Sequence, residues 1–133
     1  EYGPDTVLFF IIGLDAFLDL PSWKEADTLL MSCHFVVISR PSTTFGAMAG
    51  VPLFRDVPTD TLTALDEVRQ ERADVAITNG QALTFLRLPP CDVSASEIRA
   101  RLRSGASLAN LLPTPAESYI LREGLYREDS ERL

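Results

Sequence analysis

Two serines and an arginine near residue 95 have the types and the spacing that suit the binding of an anion. Ser94 can cap the start of a helix, and Glu97, three residues later, can reach back to it as a capping-box partner. The N-terminus of a helix carries a partial positive charge and N–H groups without partners, so it binds phosphate well. Ser96 adds a hydroxyl and Arg99 a positive charge. The pattern predicts a phosphate site, with a plain capped surface helix as the alternative.

A second group of polar residues follows two apolar runs of strand length. Residues 7–13 form an unbroken apolar stretch that ends at Gly13 and is followed by Asp15, and residues 35–39 are followed by Arg40. Runs without alternation suit strands that are buried on both faces. In open parallel sheets, ligands bind beyond the carboxyl ends of the strands. The residues expected at that edge are Gly13, Asp15, Arg40, Ser94, Ser96 and Arg99.

The elements that position these residues alternate along the chain. Strands are predicted at residues 7–13, 35–39, 75–78 and 83–88, and helices at 23–31, 59–72, 94–104 and 114–123. Residues 41–58 are rich in Gly, Pro, Ser and Thr and predict a long loop, with a short extended piece at 51–54. The alternation predicts an α/β open parallel sheet with flanking helices. The length of 133 residues predicts one domain, 1–133.

Local signals predict where two further helices begin and which side chains are buried. Ser22 and Glu25 have the spacing of a capping box before the helix at 23–31. Thr114 is expected to cap the last helix, in which Tyr119 and Ile120 would pack inward.

Charge and composition exclude several classes of protein. The net charge of −7 argues against binding nucleic acid by charge alone. No run of about 18 apolar residues occurs, so no membrane span is expected. The two cysteines, Cys33 and Cys91, are expected to be reduced thiols, which is typical of a cytoplasmic protein. No metal-ligand spacing is present.

Several of these motifs, taken in order, resemble one family. Gly13-Leu14-Asp15 after an apolar strand is followed by Leu20-Pro21-Ser22-Trp23, and a second strand ends in Arg40-Pro41. Then come Val93-Ser94-Ala95-Ser96-Glu97-Ile98-Arg99 and, last, Leu112-Pro113, Tyr119-Ile120 and Gly124-Leu125-Tyr126. The ordered set resembles the C-terminal part of bacterial nicotinate-nucleotide adenylyltransferases, although this chain has Ser96 where the family usually has threonine.

The resemblance implies a Rossmann-like nucleotidyltransferase of NAD biosynthesis. Such an enzyme transfers AMP from ATP to nicotinate mononucleotide and releases pyrophosphate and deamido-NAD. It implies that Gly13 and Asp15 hold the adenosine ribose, and that Trp23 and Arg40 bind the nicotinate nucleotide. The implied phosphate ligands are Ser94, Ser96 and Arg99. Mg²⁺ would arrive with ATP, held mostly by phosphates and water rather than by a dedicated protein site.

The superfamily's His-x-Gly-His signature does not occur in this sequence. The single histidine, His34, stands before a strand in Cys33-His34-Phe35 and does not match that signature. The resemblance therefore implies that the signature and the first strands lie upstream of Glu1, so that this chain contains no catalytic residue and is inactive alone. An incomplete sheet would also expose an edge for self-association.

Other interpretations of the same residues stay open from the sequence alone. Asp15 fits a helix N-cap, and Trp23 fits a core position. Asp15 after an apolar strand also suits a receiver-like signalling domain, although an acidic pair on an earlier strand is missing. A non-catalytic binding or assembly module is a further class. Within the enzyme interpretation, the alternative is a sister adenylyltransferase that acts on an acceptor such as phosphopantetheine.

Overall fold

The computed structural model describes residues 3–77, 81–91 and 93–126. The chain divides into two compact units, Glu1–Pro90 and Cys91–Leu133. As far as the structure describes them, the first unit contains an open sheet and the second contains two helices. That residues 1–133 form one domain stays a prediction. Among the described residues, no helix is both long enough and apolar enough to cross a bilayer.

The sheet of the first unit is mixed, with strands in the order β1-β2-β4-β3. The strands are β1 (Phe9–Gly13), β2 (His34–Ile38), β3 (Arg72–Ala76) and β4 (Ala82–Leu86). The pairs β1–β2 and β2–β4 are parallel, whereas β3 runs antiparallel to β4. The open α/β sheet with flanking helices is confirmed, but the all-parallel arrangement is wrong. Strand β3 is antiparallel to β4 because the link between them is short, whereas a crossover between parallel strands needs a dozen residues or more.

The helices described beside the sheet are α1 (Leu14–Leu18), α2 (Ala26–Ser32) and α3 (Thr59–Asp66). The predicted capping box at Ser22 and Glu25 is wrong, and α2 begins three residues later than expected. Ser22 lies in a 3-10 turn and its hydroxyl donates to the carbonyl oxygen of Asp19 at 2.7 Å. Glu25 has a φ of 56° and makes no side-chain cap. The left-handed Glu25 backbone stops any continuous helix from starting at Trp23.

The long loop is more ordered than its composition predicts. It contains two 3-10 turns, Phe45–Met48 and Pro52–Phe54, so the expected extended piece at 51–54 is wrong. The Asp66 carboxylate accepts from the N–H groups of Phe45 and Gly46 at 2.8 and 2.7 Å. Helix α3 ends at Asp66, six residues before the predicted end at Arg72. The chain after it turns through Val68 at φ 58° and enters β3.

The core lies against one face of the sheet. Phe35 and Val37 of β2 and Leu83 and Phe85 of β4 are buried on that face. Phe17 of α1 packs over them, with its ring centroid 5.6 Å from Phe35 and 6.5 Å from Phe85. Burial in this core raises the pKa of the Cys33 thiol, whereas Cys91 is exposed.

The second unit contains α4 (Ala95–Ser104) and α5 (Thr114–Arg122). Helix α4 is capped at its C-terminus by Gly105, whose φ of 69° is easily adopted by glycine. The predicted Thr114 cap is wrong, because Thr114 is the first helical residue and Pro113 precedes it without a side-chain bond. Tyr119 does not pack inward either. Its side chain is 52% exposed, with the Arg122 guanidinium 5.3 Å from the ring centroid.

Candidate functional site

Gly13, Asp15 and Arg40 lie together at the carboxyl edge of the sheet, as the sequence predicts. Gly13 ends β1 and is in register with Ile38, which ends β2. Asp15 follows in the first turn of α1, and Arg40 comes two residues after β2. Arg40 Nε is 3.6 Å from Asp15 Oδ1, and both side chains are about half exposed, at 48% and 50%. The parallel register of two neighbouring strands therefore produces this juxtaposition.

Glycine at position 13 allows the two charged side chains to lie over the backbone. A Cβ there would be 2.6 Å from Asp15 Oδ1 and 3.2 Å from Arg40 Cδ. The φ of −70° and ψ of 148° suit any residue, so a larger residue here would displace the Asp15 and Arg40 side chains without straining the backbone. Asp15 is also not an N-cap, because Gly13 occupies that position and no side-chain cap bond forms. Its carboxylate is therefore available to accept from hydroxyl groups.

Ser39 is a positioning residue that the sequence reasoning missed. Its N–H donates to the Leu86 carbonyl oxygen at 2.9 Å, and its hydroxyl oxygen accepts from the Leu88 N–H at 2.9 Å. These bonds tie the end of β2 to the end of β4 and so fix the backbone that carries Arg40. The only sequence signal was a hydroxyl residue at a strand end, which does not identify a partner that lies 49 residues away.

Trp23 belongs to the first unit but not to its core. It follows the 3-10 turn Leu20–Ser22 in an extended conformation, with its N–H donating to the Leu20 carbonyl oxygen at 2.9 Å. The side chain is 38% exposed, which contradicts the interpretation of Trp23 as a core residue. Its ring can therefore stack on a planar ligand.

The start of α4 brings Ser94, Ser96 and Arg99 together in the second unit. Ser94 Oγ accepts from the Glu97 N–H at 3.1 Å, so the predicted N-cap is confirmed. The capping box is incomplete, because the Glu97 carboxylate pairs with Arg101 at 2.9 Å instead. One Arg99 Nη donates to Ser96 Oγ at 3.4 Å. A hydroxyl and a guanidinium thus lie side by side in the first turn of the helix, which is chemistry that suits a phosphate.

His34 has a structural role between three strands. Its Nδ1 accepts from the Ala82 N–H at 3.0 Å, and its ring stacks on Phe9 with centroids 5.1 Å apart. Across the described ranges, no three His, Cys, Asp or Glu side chains come close enough together to hold a metal ion.

Comparison with known proteins assigns the family. A family model described as cytidylyltransferase-like matches residues 1–101. A protein of Moorella thermoacetica named "Probable nicotinate-nucleotide adenylyltransferase" is 31% identical over 127 residues, which are 96% of this chain and 49% of that protein. Proteins of the same name from Shigella boydii serotype 18 and Escherichia coli O139:H28 are each 35% identical over 127 residues, with 96% of this chain and 56% of theirs covered.

The matches confirm the resemblance found in the ordered motifs, and they extend over nearly all of the sequence. The chain spans about half the length of the curated relatives it matches. It belongs to the cytidylyltransferase-like family of nucleotidyltransferases.

Proposed function

We propose that this chain is part of an adenylyltransferase that transfers AMP from ATP to nicotinate mononucleotide, giving deamido-NAD and pyrophosphate. The observation that carries the proposal is the group of Gly13, Asp15 and Arg40 at the carboxyl edge of a sheet in a chain 31% identical to a relative of that name. An exposed carboxylate with two acceptor oxygens suits the two hydroxyls of a ribose. In this proposal, Gly13 and Asp15 hold the adenosine ribose.

The other candidate residues have roles that follow from their chemistry. Ser94, Ser96 and Arg99 bind ATP phosphates with a helix start, a hydroxyl and a guanidinium. Trp23 stacks on the pyridine ring, and Arg40 provides a positive charge for the nicotinate nucleotide. Adenylyl transfer depends on positioning and on stabilising negative charge, both of which such residues can supply. Mg²⁺ is brought by ATP phosphates and water, and no step is assigned to it.

The catalytic histidines of the superfamily signature are proposed to lie outside these residues. The one histidine of the sequence holds Ala82 through Nδ1 and stacks on Phe9. We expect the purified 133-residue chain to form no deamido-NAD from ATP and nicotinate mononucleotide, as measured by chromatography of the reaction products. Turnover dependent on the purified chain would contradict this part of the proposal.

The ribose assignment is tested by removing the hydroxyls from the ligand and the carboxylate from the protein. The chain is titrated calorimetrically with ATP and with its 2′,3′-dideoxy analogue. Loss of a charge-assisted hydrogen bond weakens the binding of the dideoxy analogue about tenfold. In Asp15→Ala the two nucleotides bind equally, whereas the control Asp60→Ala on α3 discriminates as wild type does. Equal affinities in the wild-type chain would contradict the assignment.

The pyridine acceptor is distinguished from phosphopantetheine through Trp23. It is the single tryptophan of the sequence and is partly exposed, so its fluorescence reports directly on stacking. We expect nicotinate mononucleotide to quench this fluorescence and phosphopantetheine, which has no aromatic ring, to leave it unchanged. Quenching by neither ligand would remove the stacking role from Trp23.

A further inference from the structure

The ion pair between Asp15 and Arg40 joins two residues to which the proposed function assigns different substrates. Asp15 accepts from the hydroxyls of the adenosine ribose, and Arg40 binds the nicotinate nucleotide. Arg40 Nε lies 3.6 Å from Asp15 Oδ1. The two side chains follow the ends of neighbouring parallel strands, because Gly13 of β1 is in register with Ile38 of β2. A ligand that binds one of these charges therefore also acts on the other.

This ion pair contains no hydrogen bond, in contrast to the pair on β3. A charge-assisted hydrogen bond between a guanidinium and a carboxylate is about 2.7–2.9 Å long, so the 3.6 Å separation is too long for one. Arg72, by comparison, donates to the Asp74 carboxylate at 2.9 and 3.1 Å. Those bonds hold the pKa of Asp74 below its usual range. Asp15 and Arg40 attract each other without such bonds, so a ligand can separate them at a small cost.

The backbone on both sides of the pair is held in place by the fold. Ser39, directly before Arg40, accepts through its hydroxyl oxygen from the Leu88 N–H at 2.9 Å. Asp15 lies in the first turn of α1. A Cβ on Gly13 would be 2.6 Å from Asp15 Oδ1 and 3.2 Å from Arg40 Cδ, so both side chains lie over this glycine. A ligand can therefore separate the two charges by rotating side chains, without a shift of the backbone.

We propose that the contact between Asp15 and Arg40 couples the binding of the two substrates, which rests on the proposed function. The substrate that binds first separates the pair, so its affinity is reduced by the attraction that it breaks. The second substrate then meets a residue that has already lost this attraction, and it binds more tightly than it would alone. The coupling is reciprocal by thermodynamic necessity. Because half-exposed ion pairs are weak, its size is about two- to fivefold.

Adenosine tests the coupling without adding the charge of phosphates. The binding of nicotinate mononucleotide is measured by Trp23 fluorescence in the presence of adenosine or of 2′,3′-dideoxyadenosine, each at a concentration that calorimetry shows to be saturating. The two nucleosides carry the same base, so stacking of adenine on Trp23 affects both titrations equally. We expect nicotinate mononucleotide to bind about two- to fivefold more tightly with adenosine. In Arg40→Gln the two nucleosides have equal effects, whereas the control Asp60→Asn on α3 responds as the wild type does.

A second measurement uses adenosine alone and has a sign that a structural role of Arg40 does not produce. Removal of the guanidinium ends its attraction to Asp15, so the ribose no longer has to separate the pair. We therefore expect adenosine to bind Arg40→Gln about two- to fivefold more tightly than it binds the wild-type chain, as measured by calorimetry. Damage to the fold would weaken the binding of adenosine instead.

The outcomes separate a failure of the coupling from a failure of the proposed function. Equal effects of the two nucleosides in the wild type, unequal effects in Arg40→Gln, or an adenosine affinity that does not rise in Arg40→Gln would each overturn the coupling. The ribose assignment survives these results as long as the wild-type chain binds adenosine more tightly than its dideoxy analogue. If the wild-type chain binds both nucleosides equally, or does not bind nicotinate mononucleotide, that part of the proposed function fails and the coupling fails with it.

Discussion

The two groups of candidate residues, one at the sheet edge of the first unit and one at the start of α4 in the second, are positioned in different ways. At the sheet edge, Asp15 and Arg40 meet because β1 and β2 end side by side. The loop after Arg40 is bound by the Asp66 carboxylate, which accepts from two backbone N–H groups that are 20 and 21 residues away in the sequence. At the start of α4, Ser94 caps the Glu97 N–H three residues away, and Arg99 bonds to Ser96 at the same spacing.

Asp66 and Ser94 perform the same chemistry at these two places, because each offers oxygen to N–H groups that begin a helical turn. The difference lies in the distance along the chain. A local cap forms whenever its helix forms, whereas a distant cap forms only when the tertiary structure is complete. The free energy of unfolding should therefore fall more when the Asp66 cap of the loop after Arg40 is removed than when the Ser94 cap of α4 is removed.

The largest effect is expected for Asp66→Ala. The substitution leaves the N–H groups of Phe45 and Gly46 without their carboxylate partner, next to the buried Phe45 ring. Loss of hydrogen bonds to a charged group costs about 2–3 kcal/mol of unfolding free energy. Urea unfolding of the first unit, monitored by the fluorescence of Trp23, measures this cost. Asp60→Ala on the same helix is the control, with a cost below about 1 kcal/mol. Equal costs for the two variants would contradict the role of Asp66.

A smaller effect is expected for Ser94→Ala. Loss of an N-cap hydroxyl costs about 1 kcal/mol, and Ser94→Gly costs only a few tenths. The direct measurement is hydrogen exchange of the Glu97 amide, which should accelerate in Ser94→Ala. Ser96→Ala is the matched control, because the hydroxyl of Ser96 bonds to a side chain and not to the backbone. Faster exchange at Glu97 in Ser96→Ala as well would show that the cap is not specific to Ser94.

The same difference in distance explains how much of the molecule could be predicted from its sequence. Local patterns predict the cap at Ser94 and the helix at 94–104, and the ends of two apolar strands predict that Asp15 and Arg40 lie at the same edge of the sheet. The bonds of Ser39 to β4 and of Asp66 to the loop could not be predicted, because no spacing in the sequence indicates a partner 20 to 49 residues away.

The errors also have physical causes in particular residues. The Ser22–Glu25 spacing fits a capping box, but Glu25 adopts φ 56° and Ser22 bonds to Asp19. The predicted parallel strand at 75–78 is instead the antiparallel strand Arg72–Ala76, because its short link to β4 permits only an antiparallel pair. Tyr119 has the helical spacing of an inward residue, but α5 has no buried residue. In each case a local pattern was outweighed by chain geometry or by the surroundings of the element.

The smallest effect on stability is expected for Arg40→Gln. The Arg40–Asp15 pair is 3.6 Å long and half exposed, and such surface ion pairs contribute between zero and about 1 kcal/mol. The unfolding free energy measured with urea should therefore hardly change in this variant, and that of the wild-type chain should depend little on salt concentration. If Arg40 contacts the ligand, Arg40→Gln weakens the binding of nicotinate mononucleotide, as measured by the Trp23 fluorescence titration, while the unfolding free energy stays the same. If the substitution instead lowered the unfolding free energy by more than about 1 kcal/mol and left binding unchanged, Arg40 would stabilise the fold, as Asp66 does, and would not be a ligand-binding residue.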